Sequence, residues 1–212
     1  MDLSEELAKA VTEGDEERAE QVTRRALDQG MGAAELLQKG AVAGIYEAGR
    51  RWQEGEYFLP DIVLATEAYG VALERLEPLL ASKGAKPRGR VVIGSVEGDA
   101  HDLGKNIVVA LLRCAGYDVT DLGVDVTAGG FVEAARDTVA DVVGLGAYMT
   151  TTMRNMQGII EAFGDAGLRD SVKVVVGGAA VTAEYAGRIG ADGFAKNAAE
   201  AVELVDRLLG VA

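Results

Sequence analysis

The sequence predicts an α/β protein in which an N-terminal four-helix bundle precedes a doubly wound sheet of five parallel strands. Residues 1–81 show helical periodicity and almost no runs of β-branched residues. After residue 90, short strands rich in Val, Ile and Leu alternate with helical segments, a pattern typical of a parallel sheet covered on both faces. Between these regions, residues 82–90 are basic, contain Gly and Pro, and lack apolar periodicity, so we interpret them as an interdomain linker.

Four helices are predicted in residues 1–81, which form the first domain. Ser4 is expected to cap the first helix, and the second helix runs from near Asp15 to Gly30. Two longer amphipathic segments follow over residues 32–55 and 59–80, with Trp52 among the apolar side chains of the first. Short turns between the four segments indicate a bundle.

Five strand–helix units are predicted in residues 91–212, which form the second domain. The strands are expected at 91–96, 118–122, 142–147, 172–176 and 193–195, and the helices at 106–114, 130–138, 153–163, 183–189 and 199–209. Units of this size fit a flavodoxin-like fold with the strand order 2-1-3-4-5. A ligand then binds beyond the carboxyl ends of the strands, between the first and third strands, where the order reverses.

Composition excludes several kinds of partner. With 49% hydrophobic and 26% charged residues, the 212-residue chain has the balance of an ordinary globular protein. A formal net charge of −13 disfavours binding to nucleic acid or to anionic membranes, which depends on clustered Lys and Arg. No apolar stretch approaches the roughly 20 residues that cross a bilayer, and the acidic start lacks a signal-peptide pattern. We therefore expect a cytoplasmic protein with no membrane or nucleic-acid partner.

The only histidine, His101, lies in the segment GDAHDLGKN (98–106), directly after the first predicted strand. An imidazole two residues after Asp99, on a loop between strand and helix, has a carboxylate available to orient its second nitrogen. These features make His101 a candidate metal ligand. A lone histidine in such a loop is more often a hydrogen-bonded structural residue, so the residues themselves leave both interpretations open.

Two nucleotide-binding motifs are only partly matched. The segment from Gly98 to Lys105 has five residues between its glycines, followed by Asn106, whereas a P-loop has four and then Ser or Thr after the Lys. The sequence GLG (144–146) begins a dinucleotide fingerprint, but Met149 occupies the third glycine position. Nucleotide hydrolysis and dinucleotide binding are thus disfavoured.

Three separated motifs resemble those of cobalamin-binding domains that bind their cofactor base-off, with a histidine as the lower ligand. They are D-x-H-x-x-G at residues 99–104, GAYMTTTM (146–153) and VGGA (176–179). The flanks EGDAHDLGKNIV (97–108) and DLGVDV (121–126) are similar to the corrinoid proteins of methyltransferase systems, relatives of the cobalamin module of methionine synthase. In the first half, GEYFLPD (55–61) resembles the helical cap of the same family.

This resemblance implies a cobalamin or related corrinoid cofactor, bound base-off and His-on, and a role for each motif residue. His101 would replace the cofactor's benzimidazole as the lower cobalt ligand, Asp99 would accept the other imidazole N–H, and Thr152 would donate a hydrogen bond to Asp99. The displaced nucleotide tail would descend into a slot in the domain. The other cofactor-binding residues expected there are Val96, Gly98, Asp102, Leu103, Gly104, Gly146, Tyr148, Thr150, Thr151, Gly177 and Gly178.

The sequence departs from the family pattern at one point. Members commonly have Ser-x-Leu where this chain has Gly146, Ala147 and Tyr148. The serine hydroxyl that would contact the buried base is missing, and we expect Tyr148 to fill or polarise the slot differently. The identity of the lower base therefore stays open.

The resemblance also places residues of the helical cap over the upper face of the corrin, where an apolar lid would keep water and oxidants from the Co–CH3 bond. Phe58 is the first candidate for this lid, followed by Leu59, Val63 and Tyr57. On pattern alone, apolar residues at helical spacing are more often part of a bundle core.

The function implied by the resemblance is that of a methyl carrier whose cobalt cycles between Co(I) and methyl-Co(III). Its partners would be a substrate-specific methyltransferase, a corrinoid:acceptor methyltransferase that passes the methyl group to tetrahydrofolate or coenzyme M, and a reductive activator protein. No catalytic residues separate from the cofactor are expected. The alternatives are a cobalamin-dependent sensor, which usually carries a DNA-binding module that this acidic chain lacks, and a cofactor-free scaffold. The methyl donor stays open, since the substrate binds the partner enzyme.

Overall fold

The computed structural model describes residues 2–80 and 87–211, apart from the side chains of Gln53, Leu59 and Cys114. The chain divides into two compact units, Met1–Lys83 and Gly84–Ala212. Residues 82–86 of the predicted linker lie outside the described residues. The domain limits expected from the sequence, with the linker at 82–90, therefore stay a prediction.

The described residues of the first unit form helices and turns only, which confirms the predicted helical region. The helices are α1 (Leu3–Thr12), α2 (Glu16–Asp28), α3 (Ala33–Leu36), a π-helical turn (Leu37–Val42), α4 (Ala43–Gln53) and α5 (Leu59–Leu80). The backbone stays helical from α3 through the π-helical turn into α4, so these three elements form one continuous helical segment, the third of four in the described residues of this unit. The predicted cap Ser4 lies inside α1: Asp2 is the N-cap, and the Ser4 hydroxyl donates to its carboxylate at 2.8 Å.

Two glycines one helical turn apart let α1 pack closely against the third helical segment. A Cβ atom at Gly40 would lie 2.8 Å from the Leu7 side chain, and one at Gly44 would lie 2.5 Å from the carbonyl oxygen of Ala8. The Thr12 hydroxyl reaches the Gly44 carbonyl oxygen at 3.0 Å across the same contact. Larger residues at either position would force the two helices apart.

The second unit contains five parallel strands in the order β2-β1-β3-β4-β5, which confirms the predicted order. The strands are β1 (Arg90–Ser95), β2 (Asp118–Asp121), β3 (Val142–Gly146), β4 (Lys173–Gly177) and β5 (Gly193–Ala195). The helices between and after them are α6 (Leu103–Cys114), α7 (Ala128–Thr138), α8 (Thr150–Met153), α9 (Asn155–Asp165), α10 (Ala183–Arg188) and α11 (Ala198–Leu209).

Alternating side chains of the strands fill a separate apolar core on each face of the sheet. Val92, Val143 and Val174 point to one face, where they pack with Phe131 of α7 and Phe163 of α9. The other face carries side chains of the same strands one residue out of phase, packed against α6 and α11. These are Val91, Val142 and Val175, with Val109, Leu112, Leu204 and Val205 from the two helices.

The structure moves two helix starts toward the carboxyl edge of the sheet, relative to the sequence prediction. The helix after β1 begins at Leu103 instead of residue 106, and the one after β3 begins at Thr150 instead of residue 153. Both first turns are polar or Gly-containing, so apolar periodicity does not reveal them. As for membranes, none of the helices in residues 2–80 and 87–211 is both long and apolar enough to span one.

Candidate functional site

The three motifs lie at one edge of the sheet, beyond the carboxyl ends of β1, β3 and β4. Residues 96–102 connect β1 to α6, residues 147–149 connect β3 to α8, and residues 178–182 connect β4 to α10. β1 and β3 are neighbours, with Ser95 paired to Gly146 at their last residues. This is where the strand order reverses, the position at which open parallel sheets bind ligands.

Asp99 is the centre of the polar contacts at this edge. Its side chain is fully buried. One carboxylate oxygen accepts the backbone N–H of His101 at 3.2 Å and lies 2.7 Å from His101 Nδ1. The other oxygen accepts the backbone N–H of Tyr148 at 2.7 Å and the hydroxyl of Thr152 at 2.6 Å. Four donors, from the loop after β1, the loop after β3 and the helix α8, therefore converge on one carboxylate.

Hydrogen bonding keeps the Asp99 carboxylate ionised despite its burial. Burial by itself raises the pKa of Asp99, but the bonds from Thr152, Tyr148 and His101 outweigh it and lower the pKa to about 2. An ionised carboxylate accepts only, so the Nδ1 atom of His101 carries the proton of the 2.7 Å bond.

This bond leaves the Nε2 atom of a neutral His101 with its lone pair. The His101 side chain is 58% exposed, whereas that of its partner Asp99 is 0% exposed. An imidazole held at one nitrogen by a buried carboxylate, with the other nitrogen open, is the usual arrangement of a histidine that binds a metal. The residues present therefore fit a metal-containing group with one free coordination position, which His101 would occupy.

Two residues that the sequence analysis did not single out fix the loop around His101. The buried Ser95 hydroxyl donates to the carbonyl oxygen of His101 at 2.7 Å. Asp125 has a φ of 56°, and its carboxylate accepts the backbone N–H of Gly98 at 2.7 Å. In the sequence, Ser95 could have been noticed as a polar residue at the end of the apolar strand β1. Asp125 is marked only by its position in the segment DLGVDV (121–126).

Lys105 is a third residue that sequence reasoning missed. Its side chain is 2% exposed, and its ammonium lies 2.8 and 2.6 Å from the two carboxylate oxygens of Asp121. The same ammonium donates to the side-chain oxygen of Asn106 at 2.6 Å. This pair ties the first turn of α6 to the end of β2, so it holds the helix that follows the His101 loop.

Tyr148 crosses from the end of β3 to the start of α6. Its ring lies 5.7 Å from the His101 ring, centroid to centroid, at an interplanar angle of 35°. A Cβ atom built on Gly104 would be 2.7 Å from the phenol oxygen. Burial raises the pKa of the Tyr148 phenol, with a smaller contribution from the Asp99 charge. Tyr148 thus fills the space beside Gly104.

The remaining predicted residues of this unit differ in their surroundings. Gly178 has a φ of 108°, and a Cβ atom there would lie 2.1 Å from the carbonyl oxygen of Ala147, so the contact between the β3 and β4 loops requires glycine. At Gly177 a Cβ would lie 3.0 Å from the Ala195 carbonyl oxygen. The other residues range from buried Val96, through half-buried Leu103 and Gly146, to exposed Gly98, Asp102, Thr150 and Thr151.

The four predicted lid residues belong to the first unit. Phe58 is 69% exposed and Val63 is 47% exposed. Tyr57 is half-buried: its hydroxyl donates to the carbonyl oxygen of Thr12 at 3.1 Å, so it joins the end of α1 to the turn before α5. The side chain of Leu59 lies outside the described residues.

Trp52, which the periodicity assigned to an apolar helix face, is also on the surface, at 45% exposure. It lies in the last turn of α4, directly before the chain turns toward α5. Helical spacing alone therefore gave the wrong environment for this side chain, because the bundle core ends before the helix does.

The family matches identify this chain of two compact units as a cobalamin-binding protein. The B12 binding domain family matches residues 89–205, and a second B12 binding domain family matches residues 3–77. The chain therefore belongs to the B12-binding family, and its relatives there are corrinoid proteins.

Three comparisons document this membership. A corrinoid protein of Desulfitobacterium hafniense is 44% identical, over 99% of both chains. The solved structure of the Methanosarcina barkeri monomethylamine corrinoid protein superposes with a TM-score of 0.80 at 33% identity, covering 99% of this chain and 98% of that one. A chain of the M. barkeri methanol:cobalamin methyltransferase complex superposes with a TM-score of 0.59 at 30% identity, covering 99% of this chain and 80% of that one.

Proposed function

We propose that the protein carries methyl groups on a base-off, His-on corrinoid, with His101 as the lower cobalt ligand. The observation that carries this proposal is the 2.7 Å bond between His101 Nδ1 and the buried Asp99, which leaves Nε2 open at the carboxyl edge of the sheet. Family membership supplies the corrinoid, whose cobalt supplies the chemistry of accepting and donating a methyl group when the cofactor is bound.

In this function, Asp99 acts as the residue that positions His101 and sets its basicity. Its negative charge stabilises a proton on Nδ1 and so raises the electron-donating strength of Nε2. Thr152 and the Tyr148 N–H, both donating to the second carboxylate oxygen, withdraw charge from Asp99 and limit that effect. The chain can therefore tune the strength of the lower ligand through residues that never touch the metal.

The names of two structural neighbours support a proposal about the partners. One structural neighbour is part of a methanol:cobalamin methyltransferase complex, and another is a monomethylamine corrinoid protein. We infer a substrate-specific methyltransferase of this kind as the methyl source and a second methyltransferase, acting on tetrahydrofolate or coenzyme M, as the acceptor. A reductive activator completes the set. Phe58, Leu59, Val63 and Tyr57 stay our prediction for residues that shield the upper face of the corrin.

The single histidine makes the lower ligand directly testable. The untagged chain is produced with 15N-labelled histidine, loaded with unlabelled cobalamin and reduced to Co(II), and its electron paramagnetic resonance spectrum is recorded. Ligation by His101 splits each cobalt line into a doublet from 15N. Ligation by the cofactor's own base leaves the triplet of 14N, and that result would refute the proposal.

His101→Ala provides the second test. We expect this variant to fold, because the residue lies on an exposed loop, but to lose the nitrogen splitting and to retain less cobalamin. Glu97→Gln is the matched control: the position is exposed, lies four residues before His101 and is not among the predicted cofactor-binding residues, so the cofactor spectrum should not change. Methyl transfer is then followed with an isotopically labelled methyl donor and a methyltransferase from the same genome.

A further inference from the structure

The Tyr148 side chain lies across the point at which the sheet reverses its strand order. It leaves the chain two residues after the end of β3, and its ring packs against Gly104 in the first turn of α6, which follows β1. The two loops that enclose the crevice between β1 and β3 are therefore bridged by one aromatic ring.

This packing leaves no space for a side chain at Gly104. A single methyl carbon at Gly104 would come within 2.7 Å of the phenol oxygen and 2.8 Å of a ring carbon. A phenol oxygen is the far end of a side chain that can rotate, so the space becomes available only when Tyr148 turns away. Turning away gives up the packing against Gly104 and exposes a ring that is now half-buried.

Resting on the proposed function, we propose that Tyr148 is a specificity-determining residue that closes the slot for the lower nucleotide tail. A corrinoid with a bulky benzimidazole tail must displace the phenol before His101 can reach cobalt. A corrinoid whose lower tail is short or absent reaches His101 without that displacement. Tyr148 therefore shifts the preference of this chain toward corrinoids with small lower tails.

The binding test compares cobalamin with cobinamide, which has the same corrin ring but no nucleotide tail. The affinity of each for the cofactor-free protein is measured by absorbance titration, for the parent, Tyr148→Leu and Tyr148→Phe. We expect Tyr148→Leu to strengthen cobalamin binding about tenfold relative to cobinamide, the size of the partial ring burial that displacing Tyr148 gives up. Tyr148→Phe keeps the ring in the slot and should change the ratio less than about threefold.

A stability test needs no cofactor. Gly104→Ala is introduced into the parent and into Tyr148→Leu, and unfolding in urea is followed by circular dichroism. In the parent the new methyl group meets the phenol, whereas leucine does not reach the oxygen position. Gly104→Ala should therefore lower the unfolding midpoint in the parent and have a smaller effect in Tyr148→Leu, which is a positive coupling between the two positions.

The outcomes separate the two proposals. If the ratio of cobalamin affinity to cobinamide affinity is the same in the parent and in Tyr148→Leu, the proposed role of Tyr148 is overturned but the proposed function is not. Weaker cobalamin binding by Tyr148→Leu has the same consequence, since Tyr148 would then contact the tail favourably instead of excluding it. Failure of the parent and both variants to bind either corrinoid overturns the proposed function, and the role of Tyr148 falls with it. Additive effects of Gly104→Ala and Tyr148→Leu would contradict the steric contact itself.

Discussion

Asp99→Asn should lower the free energy of unfolding of the cofactor-free protein by about 2 kcal/mol at pH 7. The substitution keeps the size of the side chain but removes its charge and replaces one acceptor oxygen by an NH2 group. The backbone N–H of His101 faces one oxygen position and that of Tyr148 faces the other, at 3.2 and 2.7 Å. Whichever way the amide turns, one fixed N–H meets a donor and loses its bond.

The magnitude follows from the pKa of the Asp99 carboxylate. Its pKa is lowered from 3.8 to about 2 in the folded protein. At about 1.4 kcal/mol per pKa unit, this difference corresponds to about 2 kcal/mol of stability. Because the folded-state pKa is the lower one, the stabilisation is fully present above the unfolded-state value of 3.8 and is lost as the pH falls toward 2.

The assay is urea denaturation of the parent and Asp99→Asn at pH 7, 4 and 3, followed by circular dichroism. The stability difference should be near its full value at pH 7 and 4 and should shrink to about half at pH 3. Asp125→Asn is the matched control. Asp125 is a carboxylate of the same site that accepts one N–H and has a φ of 56°, and Asn is compatible with both. The free energy of unfolding should therefore change by no more than about 0.5 kcal/mol. A difference that is the same at all three pH values would refute the reasoning.

Two further substitutions test the rest of the site. Thr152→Val keeps the shape of the side chain but removes the 2.6 Å bond to Asp99. It should lower the free energy of unfolding by about 1.5–3 kcal/mol and raise the pKa of Asp99. Urea denaturation measures the stability change, and Thr151→Val, at an exposed position, is the control. An unchanged midpoint would show that the Thr152 hydroxyl does not stabilise the carboxylate. Gly178→Ala places a Cβ atom 2.1 Å from a backbone oxygen at a φ of 108°, so in the same assay it should lower the free energy of unfolding by more than about 2 kcal/mol. Gly158→Ala is the control, because a Cβ atom there would meet no atom within 4 Å. Similar stability losses for the two variants would contradict the backbone contact.

Local patterns determined much of this protein from its sequence. The change from helical periodicity to alternating strands and helices separates the two halves, and five consecutive strand–helix units predicted a flavodoxin-like sheet, whose order β2-β1-β3-β4-β5 the structure confirms. His101 needed no structure to be found, as the only histidine on a loop after a buried strand. The motifs around it carried the resemblance to corrinoid proteins. These features are readable because each depends on residues a few positions apart.

Tertiary structure decided how the site is held together. Two of the four bonds to Asp99 come from Tyr148 and Thr152, which are 49 and 53 residues away in the chain, so no local pattern could supply their geometry. Gly178 resembled a residue left bare for a ligand, yet its missing side chain is required by the Ala147 carbonyl of the neighbouring loop. The position of the Tyr148 ring against Gly104 likewise depends on which strands are neighbours. Such contacts form only once β1, β3 and β4 lie side by side, because pairing of the strands brings distant loops to one edge.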